Sequence, residues 1–262
     1  MMLEKIITKK TQYLIYKTKS YLFNSYTFCY KNYRFSMFRT YQIFTLTLIM
    51  VLSNTLAYAE TIEDGRFWFS ISGQGNLPIE NWHWNLDLQP RIRDEGQHID
   101  QLHIIPAIYY QLNAKSSIWI AYDHINAHPA GKESYVENIY WQQFSYKFDP
   151  IADLTLSSRS RLEERDSDLG SETAYRFRQM LRVSYPINQS VSLVASNELF
   201  LNLNQTDWGP KRGVDQNRAF VGFNWVANQL TTLEMGYMNQ FVNTRTIDKE
   251  NHILFTSMKF NF

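Results

Sequence analysis

The amino-acid sequence predicts an all-β protein, a transmembrane antiparallel up-and-down β-barrel of about 10–12 strands. After Glu60, segments of about ten to fourteen residues alternate apolar with polar side chains, and a period of two is typical of β-strands. No stretch in this part approaches the roughly 18 apolar residues of a membrane-spanning helix. Short connections alternate with longer ones, a rhythm typical of barrels with tight turns at one end and loops at the other.

The clearest predicted strand begins at Trp82, where Trp82, Trp84 and Leu86 fall on one face and polar residues fall on the other. A single-chain bacterial barrel normally has an even number of strands with both termini at the periplasmic end. Because the same alternation predicts eleven strands, we expect one further strand or a misread first strand. The eleven lie near 67–75, 81–93, 100–112, 116–125, 134–148, 152–165, 173–186, 190–203, 214–227, 230–243 and 250–262.

A secretory signal peptide is predicted at residues 37–59. There Arg39 precedes an apolar run from Ile43 to Leu52, and small residues follow at Ala57 and Ala59, which predicts cleavage after Ala59. The alternative is a membrane anchor, but the uninterrupted run is only about half of the roughly 20 residues that span a bilayer.

The chain is therefore expected to have three parts. Residues 1–36 are an upstream extension or the result of a mis-assigned start, with translation beginning at Met37, and residues 60–262 form the barrel after the signal. Residues 1–59 hold eight of the 26 Lys and Arg but one of the 25 Asp and Glu, which leaves 18 basic and 24 acidic residues from Glu60 onward. This acidic balance argues against a nucleic-acid partner. The single cysteine, Cys29, precedes the barrel, so we expect no disulfide, metal or cofactor there.

Two neighbouring segments decide between a soluble and a membrane barrel, because each places charged residues on one face and apolar residues on the other. In water the charged face would be outside, whereas in a bilayer it would surround a lumen. Aromatic residues make up 16% of the chain, and several fall near strand ends as in an interfacial girdle, namely Tyr140, Trp141, Tyr185 and Trp225. The bilayer is therefore favoured. The charged residues expected to face the lumen are Arg159, Arg161, Glu163, Arg165, Arg176, Arg178, Arg182, Glu198, Arg218 and Glu234.

The last strand carries a further signal. Phe260 and Phe262 share its apolar face, and an aromatic residue at the end of an amphipathic strand resembles the assembly signal of outer-membrane proteins. An ordinary edge strand is the alternative, but it would leave an apolar edge open to aggregation. The expected partners are outer-membrane lipid and the barrel-assembly machinery, and the oligomeric state stays open.

Once the strands are placed, the last hundred or so residues resemble a bacterial family known as domain of unknown function 2490. Before Arg159 the resemblance rests on Trp68 and the Arg91-Ile-Arg93 pair. It implies an outer-membrane barrel and lends no activity. The matching segments are Arg159-Ser-Arg161-Leu-Glu163-Glu-Arg165, Tyr175-Arg-Phe-Arg178, Asn197-Glu198-Leu-Phe200, Gln216-Asn217-Arg218 and Glu234-Met-Gly236-Tyr237-Met-Asn-Gln240.

These observations predict a protein of the bacterial outer membrane with a structural or narrow-channel role and an Arg-rich lumen. The charges either interlock as Arg–Glu pairs or form a lining that favours anions. Two alternatives stay open: a membrane-embedded lipid-modifying enzyme and a soluble periplasmic binding barrel. An enzyme is the less favoured reading, because no nucleophile motif surrounds the candidate histidines His103, His124, His128 and His252.

Overall fold

A computed structural model describes residues 61–94, 97–244 and 247–262, and within them it contains eleven β-strands. All eleven lie where the alternation of the sequence predicts them. Their bounds are β1 (Thr61–Asn76), β2 (Trp82–Arg93), β3 (His98–Asn113), β4 (Ser116–Ala127), β5 (Tyr135–Lys147), β6 (Thr155–Ser167), β7 (Ala174–Pro186), β8 (Val191–Asn202), β9 (Gly213–Val226), β10 (Thr231–Val242) and β11 (Asp248–Asn261). No helix among the described residues is long and apolar enough to span a membrane.

The strands form a closed barrel in which each pairs with its neighbours in sequence and β1 pairs with β11. Every pairing is antiparallel except this last one, which is a continuous parallel ladder from Thr61↔Asp248 to Gln74↔Asn261. The expectation of an even strand number with both termini at one end is therefore wrong for the described part of the chain. A parallel ladder forms evenly spaced hydrogen bonds, so an odd number of strands closes without leaving a free edge.

The two ends of the barrel differ in their connections. The end that we call the loop end carries the connections 94–97, 128–134, 168–173, 203–212 and 243–247. The opposite end, which we call the turn end, carries the connections 77–81, 114–115, 148–154, 187–190 and 227–230, and also Phe262. The longest connection, 203–212, is at the loop end and the shortest, 114–115, is at the turn end, but 148–154 at the turn end is as long as 128–134, so the alternation expected from the sequence is present only in part.

The outer wall of the barrel is apolar. Leu162 on β6, Phe223 on β9 and Met235 on β10 have 43%, 54% and 58% of their surface exposed. Each alternates along its strand with residues that point inward, such as Glu163 at 1% exposure. The usual arrangement of a soluble protein is thus inverted: the large apolar side chains lie outside and the charged side chains lie inside.

The inner wall has two different sides. Along β3, β4 and β5 it contains an apolar cluster that includes Ile105, Ile125, Ile139 and Trp141. Along β6 to β9 it carries the salt bridges described below. Between β9 and β10 the inward residues are Gly222 and Gly236, which lie opposite each other beneath the ring of Phe220. A side chain at either glycine would collide with backbone oxygens of the neighbouring strand, so this part of the wall is thin.

Candidate functional site

The most buried carboxylate in the barrel, Glu163, holds two arginines of the next strand. Glu163 and Arg176 face each other across the β6–β7 ladder, with a Glu163–Arg176 salt bridge of 2.6 Å. Arg178 forms a second salt bridge of 2.6 Å to the other carboxylate oxygen, and Arg161 lies 3.8 Å away. Strand alternation places these side chains on one face, since residues two apart on a strand point the same way.

A second carboxylate continues the network toward the turn end. Glu198 on β8 forms salt bridges of 2.8 Å with Arg159 and 2.9 Å with Arg178. Arg178 therefore bridges Glu163 and Glu198, so that one guanidinium joins three strands. Arg182 pairs with Glu234 on β10 across the interior. Charge-assisted contacts of this kind hold a charged interior together because an unpaired buried ion is costly.

Two acidic partners were missed by sequence reasoning. Arg165 forms a 2.6 Å salt bridge with Glu137 on β5, and Arg176 forms one of 3.0 Å with Asp215 on β9. Glu137 alternates with apolar inward residues, so its strand does not stand out as a charged one. Asp215 is an extra residue at a β-bulge in the β8–β9 ladder, and a bulge re-aims the side chain that simple alternation would assign.

Trp141, expected in an aromatic girdle, lies inside the barrel, and this expectation is wrong. The guanidinium of Arg161 is 3.7 Å from the centre of its ring, and Arg161 also donates two hydrogen bonds of 2.7 and 3.0 Å to Gln143. Tyr140 points outward but lies in the middle of β5. Neighbouring residues on a strand face opposite ways, so Tyr140 and Trp141 cannot both lie on the outer wall.

A row of alternating guanidinium and aromatic groups runs along the interior. The ring of Trp68 on β1 has Arg91 at 4.3 Å and Arg218 at 4.9 Å from its centre. Arg218 is also 4.5 Å from the ring of Phe200, and Arg178 is 4.2 Å from that ring. Contacts between cations and aromatic rings within about 6 Å are attractive, more so where water is excluded.

The row separates two cavities. The larger has a volume of about 630 Å³ and reaches the turn end, where Lys115 and Lys147 line it. The smaller has a volume of about 310 Å³ and lies toward the loop end, where Pro129 lines it. Both cavities share five lining residues, which we call the partition: Trp68, Arg91, Asp123, Arg178 and Arg218.

The lining of both cavities is rich in basic residues. Nine Lys and Arg side chains and four Asp and Glu side chains line the larger cavity. The smaller is lined by seven Lys and Arg against three Asp and Glu. The interior lining is thus positive in a chain that is acidic from Glu60 onward.

The four histidines considered for catalysis lie apart from one another. His103 is buried in the interior, with Nδ1 at 3.0 Å from Asp123 and Nε2 at 3.2 Å from Gln101. His124 lies near Asn138 and His252 near Tyr237, both on the outer wall. His128 is in a loop, with Nδ1 at 2.7 Å from the hydroxyl of Ser134, and no carboxylate of the described residues forms a salt bridge with it. No cluster of the described residues has the ligands to hold a metal ion.

The other residues expected from the sequence are placed as follows. The ten charged residues expected at the lumen lie on the inward faces of β6 to β10, within the ion-pair network or the partition. Phe262 is 74% exposed at the turn end, and its ring stacks on Trp84 at 6.0 Å and on Phe260 at 6.4 Å. Ala57 and Ala59, with the whole of residues 1–59, are outside the described residues.

Comparisons with known proteins give a family and two similar proteins. Residues 65–251 match the family described as "Protein of unknown function (DUF2490)". An uncharacterized protein of Methylorubrum extorquens is 29% identical over 222 residues, which cover 83% of this chain and 96% of that protein. Among solved structures, the NanC porin is similar with a TM-score of 0.42 and 10% sequence identity, over 68% of this chain and 87% of the porin.

Proposed function

This chain belongs to the DUF2490 family of proteins of unknown function, and on that premise we propose that it is an outer-membrane barrel with a narrow, water-filled channel that favours anions. The observation that carries the proposal is the pairing of an apolar outer wall with an interior whose cavities have a basic lining. The family is one of unknown function, so the proposal rests on the structure of the barrel.

The outer wall supports the membrane part of the proposal. Large apolar side chains such as Ile120, Val221 and Leu254 are 53%, 49% and 51% exposed. In water this wall would be a large apolar surface and a site of aggregation, whereas lipid is a matching solvent for it. The loop end would then face the outside of the cell and the turn end the periplasm, as in other barrels of this kind.

The interior supports the channel part. Each end of the barrel has a cavity, and the partition stands between them. Excess guanidinium and ammonium groups lower the energy of an anion in such a space, because the low-dielectric wall weakens screening. Charged linings set ion selectivity in other pores in the same way. The alternative is that the ion pairs and the partition close the interior.

Three experiments test the proposal. Cell fractionation, with unboiled gels of the full chain, should find a heat-modifiable protein in the outer membrane, and N-terminal sequencing should begin at Glu60. The purified barrel should then give discrete conductance steps in planar lipid bilayers. Recovery in the soluble periplasmic fraction would overturn the membrane assignment, and a correctly folded barrel without conductance would overturn the channel.

A further inference from the structure

Two arginines in the described part of the interior form no salt bridge. Among the described residues that line the cavities, seven arginines form salt bridges with carboxylates, and Arg91 and Arg218 form none. The hydrogen bonds of Arg91 go to Gln101 and Gln89, and that of Arg218 goes to Gln216. Their Nε atoms are buried and have no hydrogen-bond acceptor. Such cations are costly without a counter-charge.

The nearby charged groups are already engaged. Asp123 is the carboxylate of the partition, and it lies 3.0 Å from His103. Arg178, the third arginine of the partition, is occupied by Glu163 and Glu198. Arg91 and Arg218 are therefore the two arginines of the described lining without a direct ion pair, and both contact the ring of Trp68.

We propose that Arg91 and Arg218 form a binding site for a small oxyanion, a carboxylate or a phosphate, at the partition between the two cavities. A guanidinium donates parallel hydrogen bonds to two oxygens of one oxyanion, which a spherical chloride ion cannot accept in the same way. Trp68 holds both guanidinium groups in place, so less conformational entropy is lost on binding. An oxyanion here supplies the direct ion pair that no carboxylate of the described residues forms with Arg91 or Arg218.

This site deepens the proposed function and rests on it, since a water-filled lumen is the route by which an anion reaches the partition. The site adds a point along the channel at which an anion binds and its passage stops. A solute that carries an oxyanion group would bind between the cavities, while chloride would pass with weaker contacts. Inorganic phosphate should therefore reduce the chloride current at concentrations near its dissociation constant.

The test is isothermal titration of the folded, detergent-solubilised full chain with inorganic phosphate, and separately with acetate. Wild-type protein should show one saturable site for at least one of the two. The double variant Arg91→Gln with Arg218→Gln should bind at least tenfold more weakly. Arg212→Gln, at an exposed loop position outside both cavities, is the control for a change of charge and should bind as wild type does.

A second readout covers the case in which the double variant does not fold. Phosphate should change the indole fluorescence of the wild-type barrel, and Trp68→Phe should remove most of that change. The single variant Arg218→Lys keeps the charge but loses the paired donors, so it should bind several-fold more weakly than wild type.

The outcomes separate the site from the channel. No saturable binding to wild type, or equal binding to wild type and the arginine variants, would overturn the site even if the barrel conducts chloride. Saturable binding by a barrel that shows no conductance would support the site and overturn the channel. Fluorescence changes that persist unchanged in Trp68→Phe would place the anion elsewhere and overturn the assignment.

Discussion

Glu163 and Arg176 lie opposite each other on adjacent strands and form a 2.6 Å salt bridge, while Glu163 keeps only 1% of its surface exposed. Arg178 contacts the same carboxylate and also reaches Glu198. A buried carboxylate of this kind organises several cations at once. Its removal leaves Arg161 without a salt bridge and takes one of two carboxylates from both Arg176 and Arg178, and that cost exceeds the stabilisation that a single ion pair provides.

Glu163→Gln should therefore destabilise the barrel strongly, by about 3–5 kcal/mol, the usual cost of breaking a buried ion pair. Glu234→Gln is the matched control, because its partner Arg182 is 27% exposed and closer to solvent. We expect the control to cost less than half as much. The measurement is urea unfolding of each variant in lipid vesicles, and equal destabilisation by the two variants would contradict the central role of Glu163.

The orientation of β6 can be tested with two adjacent residues. Leu162 is on the outer wall near the middle of the strand, and Leu162→Arg would place a cation in lipid at a cost of about 2–4 kcal/mol. Arg161→Leu should do less harm, because Glu163 keeps two other arginines and the new side chain packs near Trp141. The inserted fraction of each variant, read from heat-modifiable migration, should be lower for Leu162→Arg. The reverse order would mean that the faces are inverted.

Phe262 is expected to act in recognition by the barrel-assembly machinery more than in the finished barrel. Its ring is largely exposed, and its main packing partner is Trp84. Removing Phe262 should lower the membrane-inserted protein severalfold in cells, whereas Trp84→Ala, which removes the same contact from the other side, should lower it less. Similar losses for both variants would assign the effect to packing at the closure of the barrel, and unchanged insertion without Phe262 would exclude the assembly signal.

Two loops at the loop end are joined by Asp207, and acid should release them. Its carboxylate accepts hydrogen bonds from the backbone N–H of Ser171 at 3.0 Å and of Glu172 at 3.3 Å, and these bonds hold the pKa of Asp207 below its usual value. A lowered pKa means that the contact stabilises the folded loops above the unfolded pKa of about 4 and is lost as the pH falls through the folded pKa.

Amide hydrogen exchange at Ser171 and Glu172 checks this. Protection, corrected for the intrinsic rate at each pH, should fall between about pH 5 and pH 2 in the wild type. In the Asp207→Asn variant, the protection of these two amides should be low at both ends of this pH range. Equal protection of the variant and the wild type at neutral pH would show that the carboxylate does not join the loops.

The sequence predicts the strands well and the interior less well, for physical reasons. Alternation locates all eleven strands because each strand has an apolar outer face and therefore repeats the same pattern. The parallel β1–β11 ladder was missed, because pairing between distant strands leaves no local signal. The place of Asp215 was missed because it depends on a bulge, and bulges interrupt the alternation on which the prediction relies.

The amino-acid sequence alone could not predict which charged side chains pair with each other. Seven arginines and three glutamates were expected inside, and a local positive excess followed from that count. The structure adds further charges of both signs, among them Glu137, Asp123 and Asp215 on the acidic side and Arg91 on the basic side. Which arginines stay unpaired depends on distances between strands far apart in sequence, such as β2 and β9.

The most direct test of the account is the reversal potential of the reconstituted wild-type barrel in a KCl gradient. The basic lining predicts that chloride passes more readily than potassium. Lys147→Gln with Lys259→Gln removes two charges that line the larger cavity and form no salt bridge with any described residue, so this variant should reduce the preference for chloride. The control, Lys132→Gln with Arg212→Gln, lies outside both cavities and should change the preference less. A preference for potassium, or the absence of any discrete conductance from correctly folded protein, would contradict the account.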